Sequence, residues 1–368
     1  MGKNKKIRIF MIGYSHNKGG VEAYISNLVG SMDNTKFEII YKMPEMVIDG
    51  KKWIAPLNRH NYIKYRLFWR KFFSENKFDV LYLNTCDVVS IDDLKFAKRA
   101  GIPVRIIHAH NTGNQRSIGT SLSLFHQLSE KMSRNNLEKF ATHFFACSKS
   151  AGDWMFDGRE YRVIKNGINL SNYQFSNSYR IDIKEKNSIM SRKTVGIIGR
   201  LSPQKNPLFS VGVLESLLNN KDDFYAVFIG DGEMRAEIQQ QIIDKGLDNK
   251  VQLIGAVDNV NEWLSAVDCV LMPSLFEGLP FVLVEAQAAG LHCVVSSAVS
   301  QEANITGLVE FVSLDEDKET WAKKVLEACE QPRVDVSQKL TDAGYSIEDT
   351  AKTVSEIIEN LLNNQRKS

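Results

Sequence analysis

The sequence contains no run of roughly 18 uninterrupted apolar residues, so no segment reads as a membrane-spanning helix. Its five cysteines, Cys86, Cys147, Cys269, Cys293 and Cys329, are odd in number, widely spaced and without a CxxC pair. That pattern argues against a disulfide framework and a zinc ribbon, and it fits a reducing cytoplasm. The basic start at Lys3, Lys5 and Lys6 leads into an apolar stretch that reads as a first strand and lacks a cleavage site, so no secretory signal is expected. Repeats of solenoid length and low-complexity tracts are missing. GxGxxG and Walker sequences are missing too, and the expected second strand, Phe37 to Tyr41, runs into Lys42 rather than the acidic residue that would hold a nicotinamide cofactor's ribose. A dehydrogenase is thereby disfavoured.

Net charge is also small, with 46 Lys and Arg against 44 Asp and Glu, but it is unevenly spread. Residues 1–170 hold 27 basic and 15 acidic residues, a net of +12, and residues 171–368 carry a net of −10. A basic first half suits an anionic partner such as a membrane surface, a phosphorylated substrate or nucleic acid, although opposite charges could equally serve to bring two lobes together.

A length of 368 residues suggests two domains. Short apolar runs alternate with helical patterns: Ile7–Ile12, Phe37–Tyr41, Val80–Leu83, Val104–His108 and Phe144–Ala146, then Thr194–Ile198, Tyr225–Ile229, Val251–Ile254, Cys269–Met272 and Cys293–Ser296. Two successive βαβα series predict an α/β protein with two Rossmann-like, doubly wound lobes facing an interdomain cleft. The expected boundaries are a first lobe over 1–170, a linker over 171–193 where Asn, Ser and Lys are enriched, and a second lobe over 194–346. An amphipathic helix from Ile347 to Leu362, within a tail of 347–368, is expected to pack back on the first lobe.

The chemistry concentrates at strand ends. In Glu277-Gly278-Leu279-Pro280-Phe281-Val282-Leu283-Val284-Glu285, Pro280 suits the first position of a helix beginning near Leu279, and Gly290 suits its end. Free amides at such a start, from Leu279 to Leu283, can hold a diphosphate. Glu277 and Glu285 lie on either side of it, as a sugar and a ribose flank the diphosphate of a nucleotide sugar. The plain alternative is a capping Glu277 and a solvated Glu285. However, Glu285 sits in an otherwise apolar run, and a buried carboxylate needs a partner such as a ribose diol. The loop Gly199-Arg200-Leu201-Ser202-Pro203-Gln204-Lys205-Asn206-Pro207 offers Arg200 and Lys205 to a leaving diphosphate. Gly19-Gly20 and Gly230-Asp231-Gly232-Glu233 are weaker phosphate-loop candidates.

With these residues in hand, the chain resembles retaining glycosyltransferases of the GT-B fold, family GT4, in the capsular and exopolysaccharide biosynthesis branch. The resemblance rests on GGVE at 19–22, HAHN at 108–111, NGIN at 166–169, GRLSPQKNP at 199–207, GDGE at 230–233 and EGLPFVLVE at 277–285. It implies that Arg200 and Lys205 hold the donor diphosphate, Glu277 contacts the donor sugar and Glu285 binds the ribose hydroxyls. It further implies that Gly19, Gly20 and the backbone of Gly278, Leu279, Phe281, Val282 and Leu283 serve phosphate binding, with Asn166 and Gly230 at the donor site. Ile254 would lie near the base and His110 near the donor sugar and acceptor. Catalysis would then rest on Glu277, His110, Arg200 and Lys205. The first lobe would bind the acceptor and the second the nucleotide sugar, with a UDP-sugar favoured and a glycan or lipid-linked oligosaccharide as acceptor. Residue 169 is Asn where the family usually has Asp, so no role resting on a carboxylate is carried over to it.

No metal or other cofactor is expected. His108 and His110 share a strand face, but no third ligand follows at a recognisable spacing, and Asp315-Glu316-Asp317 reads as helix N-terminal charge. The basic aromatic segment Asn58–Phe73 is compatible with peripheral contact at an anionic membrane, on the inner face of the plasma membrane, and equally with a core-packed helix bearing a charged outer face. No nucleic-acid motif accompanies it. A nonhydrolysing nucleotide-sugar epimerase and a catalytically silent glycan-binding protein are the rival readings.

Overall fold

The computed structural model describes residues 5–14, 20–56, 61–111, 124–218 and 221–367, with backbone only at 124–126 and 366–367. Gly19 and residues 58–60 of the basic aromatic segment lie outside the described residues. The chain divides into two compact units, Met1–Gly167 with Ile347–Ser368, and Ile168–Ser346.

The first unit is built on strands β1 (Ile7–Ile12), β2 (Phe37–Tyr41), β3 (Glu45–Ile48), β4 (Lys51–Ile54), β5 (Val80–Thr85), β6 (Val104–Ala109), β7 (His143–Ala146) and β8 (Arg162–Val163). Six of them form a parallel sheet in the order β2-β1-β5-β6-β7-β8, while β3 and β4 form a separate antiparallel hairpin. The central strands β1, β5 and β6 are buried along most of their length, as a parallel sheet covered on both faces requires. On one face Phe10 lies 5.0–6.0 Å, ring to ring, from Trp69, Phe72, Phe73 and Phe78. Helix Ile347–Lys367 lies against helix Gly20–Ser31 and strand β6 through a buried stripe that includes Ala351, Val354 and Ile358.

The basic aromatic segment forms helix Tyr62–Glu75. Tyr65, Trp69, Phe72 and Phe73 are buried in the core, and Trp53 of the hairpin packs 5.1 Å from Phe72. The opposite face exposes Lys64, Arg66, Arg70 and Lys71 together with Ile63 and Leu67, which are 72% and 61% accessible.

The second unit carries β9 (Lys193–Ile198), β10 (Phe224–Ile229), β11 (Val251–Gly255), β12 (Cys269–Met272), β13 (Cys293–Ser296) and β14 (Val309–Val312). They form one parallel sheet in the order β11-β10-β9-β12-β13-β14, with apolar clusters on both faces. Topology reverses beside β9, so the C-terminal ends of β9 and β12 border the position where open α/β sheets bind ligands.

Two expectations are corrected. Residues 171–193 are not a free linker: helix Asn177–Lys186 packs on helix Val260–Ala266. The polar side chains that suggested a connection are used for docking, since Arg180 and the buried Lys184 reach Asp268 at 2.7 and 3.3 Å. Second, the helix after β12 runs from Phe281 to Ala288, not from Leu279. Pro280 is its cap rather than its first residue, because its ψ of 126° keeps the chain extended there.

Candidate functional site

In the second unit, three strand ends are pressed together by glycines. Gly199 and Gly230 have φ of +143° and +137°, and a Cβ on Gly230 would stand 2.0 Å from the Gly199 carbonyl oxygen. The Leu201 amide donates to Asp231 at 3.0 Å and the Gly230 amide to Gly255 at 2.8 Å, so the loops after β9, β10 and β11 form one backbone-bonded ledge. Gly230 therefore has a packing duty of its own. Ile254, on edge strand β11, is half-buried against the core cluster beneath the ledge.

After β9 the chain makes a single 3-10 turn, Pro203–Lys205, reversed by Asn206 at φ 52° and followed by helix Pro207–Leu218. Lys205 Nζ meets Glu277 Oε1 at 2.7 Å, with both side chains largely buried. Gln204 Nε2 donates to the same oxygen and to the Phe276 carbonyl, each at 3.1 Å, and the Leu275 amide donates to the Gln204 carbonyl at 2.8 Å. The two motifs, with Gln204 and Glu277 73 positions apart in the chain, are thus bonded to each other. Arg200 is exposed and makes no side-chain bond among the described residues. It lines a recess with Lys205 and Ser274, whose hydroxyl is buried without a partner among the described residues.

Glu277 itself lies outside the helix, held by a backbone bond from Ser300 to its carbonyl at 3.0 Å. Gly278 and Leu279 lead to Pro280, and the Leu283 amide already donates to the Pro280 carbonyl at 3.1 Å. The first-turn amides of Phe281 and Val282, which lack intrahelical acceptors, are the donors that remain for an anion. One turn further on, the Tyr173 hydroxyl donates to Glu285 Oε1 at 2.9 Å. Burial raises the Glu285 carboxyl to about 7, against a lowering contribution from that bond.

In the first unit, His110 follows β6 and stacks on His108 with ring centres 4.1 Å apart. His108 Nδ1 and the Tyr82 hydroxyl are 3.0 Å apart, and the Tyr82 and Tyr24 hydroxyls 3.3 Å. His110 Nε2 is 3.0 Å from Asn84 Oδ1, while Asn84 Nδ2 donates to the Ile12 carbonyl at 3.1 Å. With the amide so oriented, Nε2 carries the imidazole proton and Nδ1 presents a lone pair. Burial lowers the His110 pKa to about 3 and lowers that of His108 as well. Both rings are neutral at physiological pH. Nδ1 of His110 and Oδ1 of Asn166 are buried with no hydrogen-bond partner among the described residues. Gly20 opens helix Gly20–Ser31.

The structure thus joins Arg200, Lys205, Gly230, Glu277 and the Phe281 helix start with Glu285 in one unit, and His110 with Asn166 in the other. Gln204 stood inside the quoted motif without a role, whereas nothing in the spacing signalled Tyr173 or Ser274. Among the described residues no group of three or more His, Cys, Asp and Glu is arranged to hold a metal ion. Asp317 caps helix Lys318–Glu330 by accepting from the Thr320 amide at 2.7 Å, as its charge pattern suggested.

Two parallel-sheet, Rossmann-like units of this kind define the GT-B fold class, and solved structures that superpose on the chain include a glycosyltransferase from Rickettsia africae ESF-5 and WaaG, a glycosyltransferase involved in lipopolysaccharide biosynthesis. Anabaena Alr3699/HepE in complex with UDP and glucose matches with a TM-score of 0.74 and 17% identity, covering 96% of this chain and 100% of that one. Within the class, residues 179–347 match the family model of Glycosyl transferases group 1. The putative glycosyltransferase EpsF of Bacillus subtilis (strain 168) is 27% identical over 360 residues, 92% of each chain. The UDP-Gal:alpha-D-GlcNAc-diphosphoundecaprenol alpha-1,3-galactosyltransferase of Escherichia coli is 33% identical over 146 residues, 38% of each chain. Residues 179–347 are thus similar to the group 1 glycosyltransferases.

Proposed function

We propose that this protein is a retaining glycosyltransferase that moves a hexose from a nucleoside diphosphate donor, a UDP-sugar in first place, to a hydroxyl of a lipid-linked glycan in capsular or exopolysaccharide assembly. The observation that carries this reading is the ion pair of Lys205 with Glu277 beside the open helix start at Phe281. In a donor complex the two partners separate. Lys205, Arg200 and the amides of Phe281 and Val282 turn to the diphosphate, while the Glu277 carboxylate accepts hydroxyls of the sugar.

The reaction breaks the bond between the anomeric carbon and the β-phosphate oxygen, and the electron pair leaves with the phosphate. Charge accumulates on that oxygen in the transition state, where fixed cations and backbone donors act most strongly. The acceptor oxygen bonds the anomeric carbon on the face the phosphate leaves, and its proton passes to the departing phosphate. His110, neutral and bearing a lone pair at Nδ1, accepts a hydrogen bond from a donor-sugar or acceptor hydroxyl and supplies no proton.

A lipid-linked acceptor is supported by the outer face of helix Tyr62–Glu75, where cations surround exposed Ile63 and Leu67, a composition suited to an anionic bilayer surface. No helix among the described residues is long and apolar enough to cross a membrane.

The test is acceptor-dependent nucleotide release. Lys205→Ala removes a cation and leaves Glu277 unpaired beside the diphosphate, so kcat should fall about 100-fold or more. Glu277→Ala should fall comparably, and wild-type rates in both variants would defeat the reading. A thermal-shift panel of UDP, GDP, ADP and their sugars identifies the base, since ligand at 100 times its Kd stabilises by about 2.7 kcal/mol.

A further inference from the structure

Glu285, like Glu277, is held by a side chain from a different part of the chain. For Glu285 that side chain is Tyr173, which ends the single-turn helix Leu170–Tyr173. The turn is fixed at its start. Ile168 is fully buried and its amide donates to the Tyr345 carbonyl at 2.9 Å. Asn169 caps the turn by accepting from the Asn172 amide at 3.3 Å and from the Ser171 hydroxyl at 2.6 Å. Asparagine caps as well as aspartate, so residue 169 does its local work without a carboxylate. The tyrosine ring packs on the same apolar cluster as Leu283 and Val284, which leaves its hydroxyl little freedom to go elsewhere.

We propose that Tyr173 is a positioning residue for nucleoside recognition: its hydroxyl fixes Oε1 of Glu285 and turns Oε2 toward the vicinal diol of a ribose. Oε2 has no partner among the described residues, and Glu285 keeps some accessible surface. A carboxylate pinned through one oxygen has a single orientation in which to meet two hydroxyls, so less rotamer freedom is lost on binding. Burial works against ionisation of this carboxyl and the Tyr173 bond works for it, so the same contact preserves the acceptor state that a diol needs. The proposal rests on the reading of Glu285 as the ribose ligand.

Its test uses the nucleoside diphosphate that gives the largest thermal shift among UDP, GDP and ADP, together with the 2′-deoxy form of that nucleotide. Dissociation constants from titration calorimetry are compared as a ribo-to-deoxy ratio. An inactive fraction alters the stoichiometry and leaves this ratio intact. Wild type should prefer the ribonucleotide by about tenfold or more, the range of a hydrogen bond to a charged group. Glu285→Ala should abolish the preference, and Tyr173→Phe should reduce it at least about threefold. If Tyr173→Phe retains the full preference while Glu285→Ala loses it, the positioning role is overturned and the ribose assignment stands. If Glu285→Ala also retains it, the ribose assignment falls, and the role of Tyr173 falls with it.

Discussion

Two ionisable groups, Glu285 in one unit and His110 in the other, are shifted by burial in opposite senses, and a pH dependence of stability follows from them. The Glu285 carboxyl, ordinarily near 4.5, is raised to about 7 by burial. Between those values the folded state binds more protons than the unfolded one, so this group's contribution to stability falls as pH rises. His110, ordinarily near 6.5, is lowered to about 3 by burial, with His108 lowered beside it. There the unfolded state binds more protons, and stability rises with pH up to about 6.5. From pH 5 to pH 7 the two effects offset each other. Glu285→Gln removes the opposing contribution, so its stability gain over that interval in urea unfolding should exceed that of wild type. His110→Asn should show a smaller gain than wild type. A Glu285→Gln gain equal to or below that of wild type would contradict the assignment. In the same window, if Glu285 is the ribose ligand as proposed, nucleotide affinity should strengthen as pH rises through about 7 and the carboxyl ionises.

At the scale of elements, the ledge of strand ends depends on glycine for a steric reason. Gly230 combines a φ closed to most side chains with a carbonyl 2.0 Å from where its Cβ would be. Gly230→Ala should therefore cost about 3 kcal/mol or more, from backbone strain of about 1–3 kcal/mol with the displacement of the Gly199 loop added. Urea unfolding should show it. A loss below about 1 kcal/mol would mean that the ledge yields easily. Gly50, by contrast, has nothing within 4 Å of a Cβ position and belongs to a turn with Asp49, both at positive φ. That Asp-Gly pair is the local signal for the β3–β4 hairpin, an antiparallel insertion among parallel strands. The edge strands β8 and β14 escaped notice because they are short, and Glu310 and the exposed Arg162–Val163 pair break the apolar runs that mark buried strands.

Over the whole molecule, the excess of basic charge in residues 1–170 finds an outlet on helix Tyr62–Glu75, where four cations and two exposed aliphatic side chains share one face. Flotation with vesicles containing phosphatidylserine should recover the protein at low salt. Recovery should fall as the Debye length shrinks from about 10 Å at 0.1 M to about 3 Å at 1 M salt. The pair Ile63→Ser and Leu67→Ser should weaken flotation at every salt concentration without changing nucleotide binding. Equal recovery with neutral vesicles would refute an electrostatic contribution.

The buried central strands, the helix from Pro207 to Leu218 and the placing of Arg200, Lys205 and Glu277 beyond strand ends were readable along the chain, because buried parallel strands leave largely apolar runs bounded by polar loops. Partners distant in the chain were not readable. The pairing of Lys205 with Glu277, the hold of Tyr173 on Glu285 and the docking of the 177–186 helix through Asp268 join residues more than 70 positions apart. Local periodicity reports which face of an element is buried, but not what it meets there. Only folding brings such groups within hydrogen-bond distance, and burial then shifts the proton affinity of Glu285 and His110 in ways that no neighbour in the sequence could reveal.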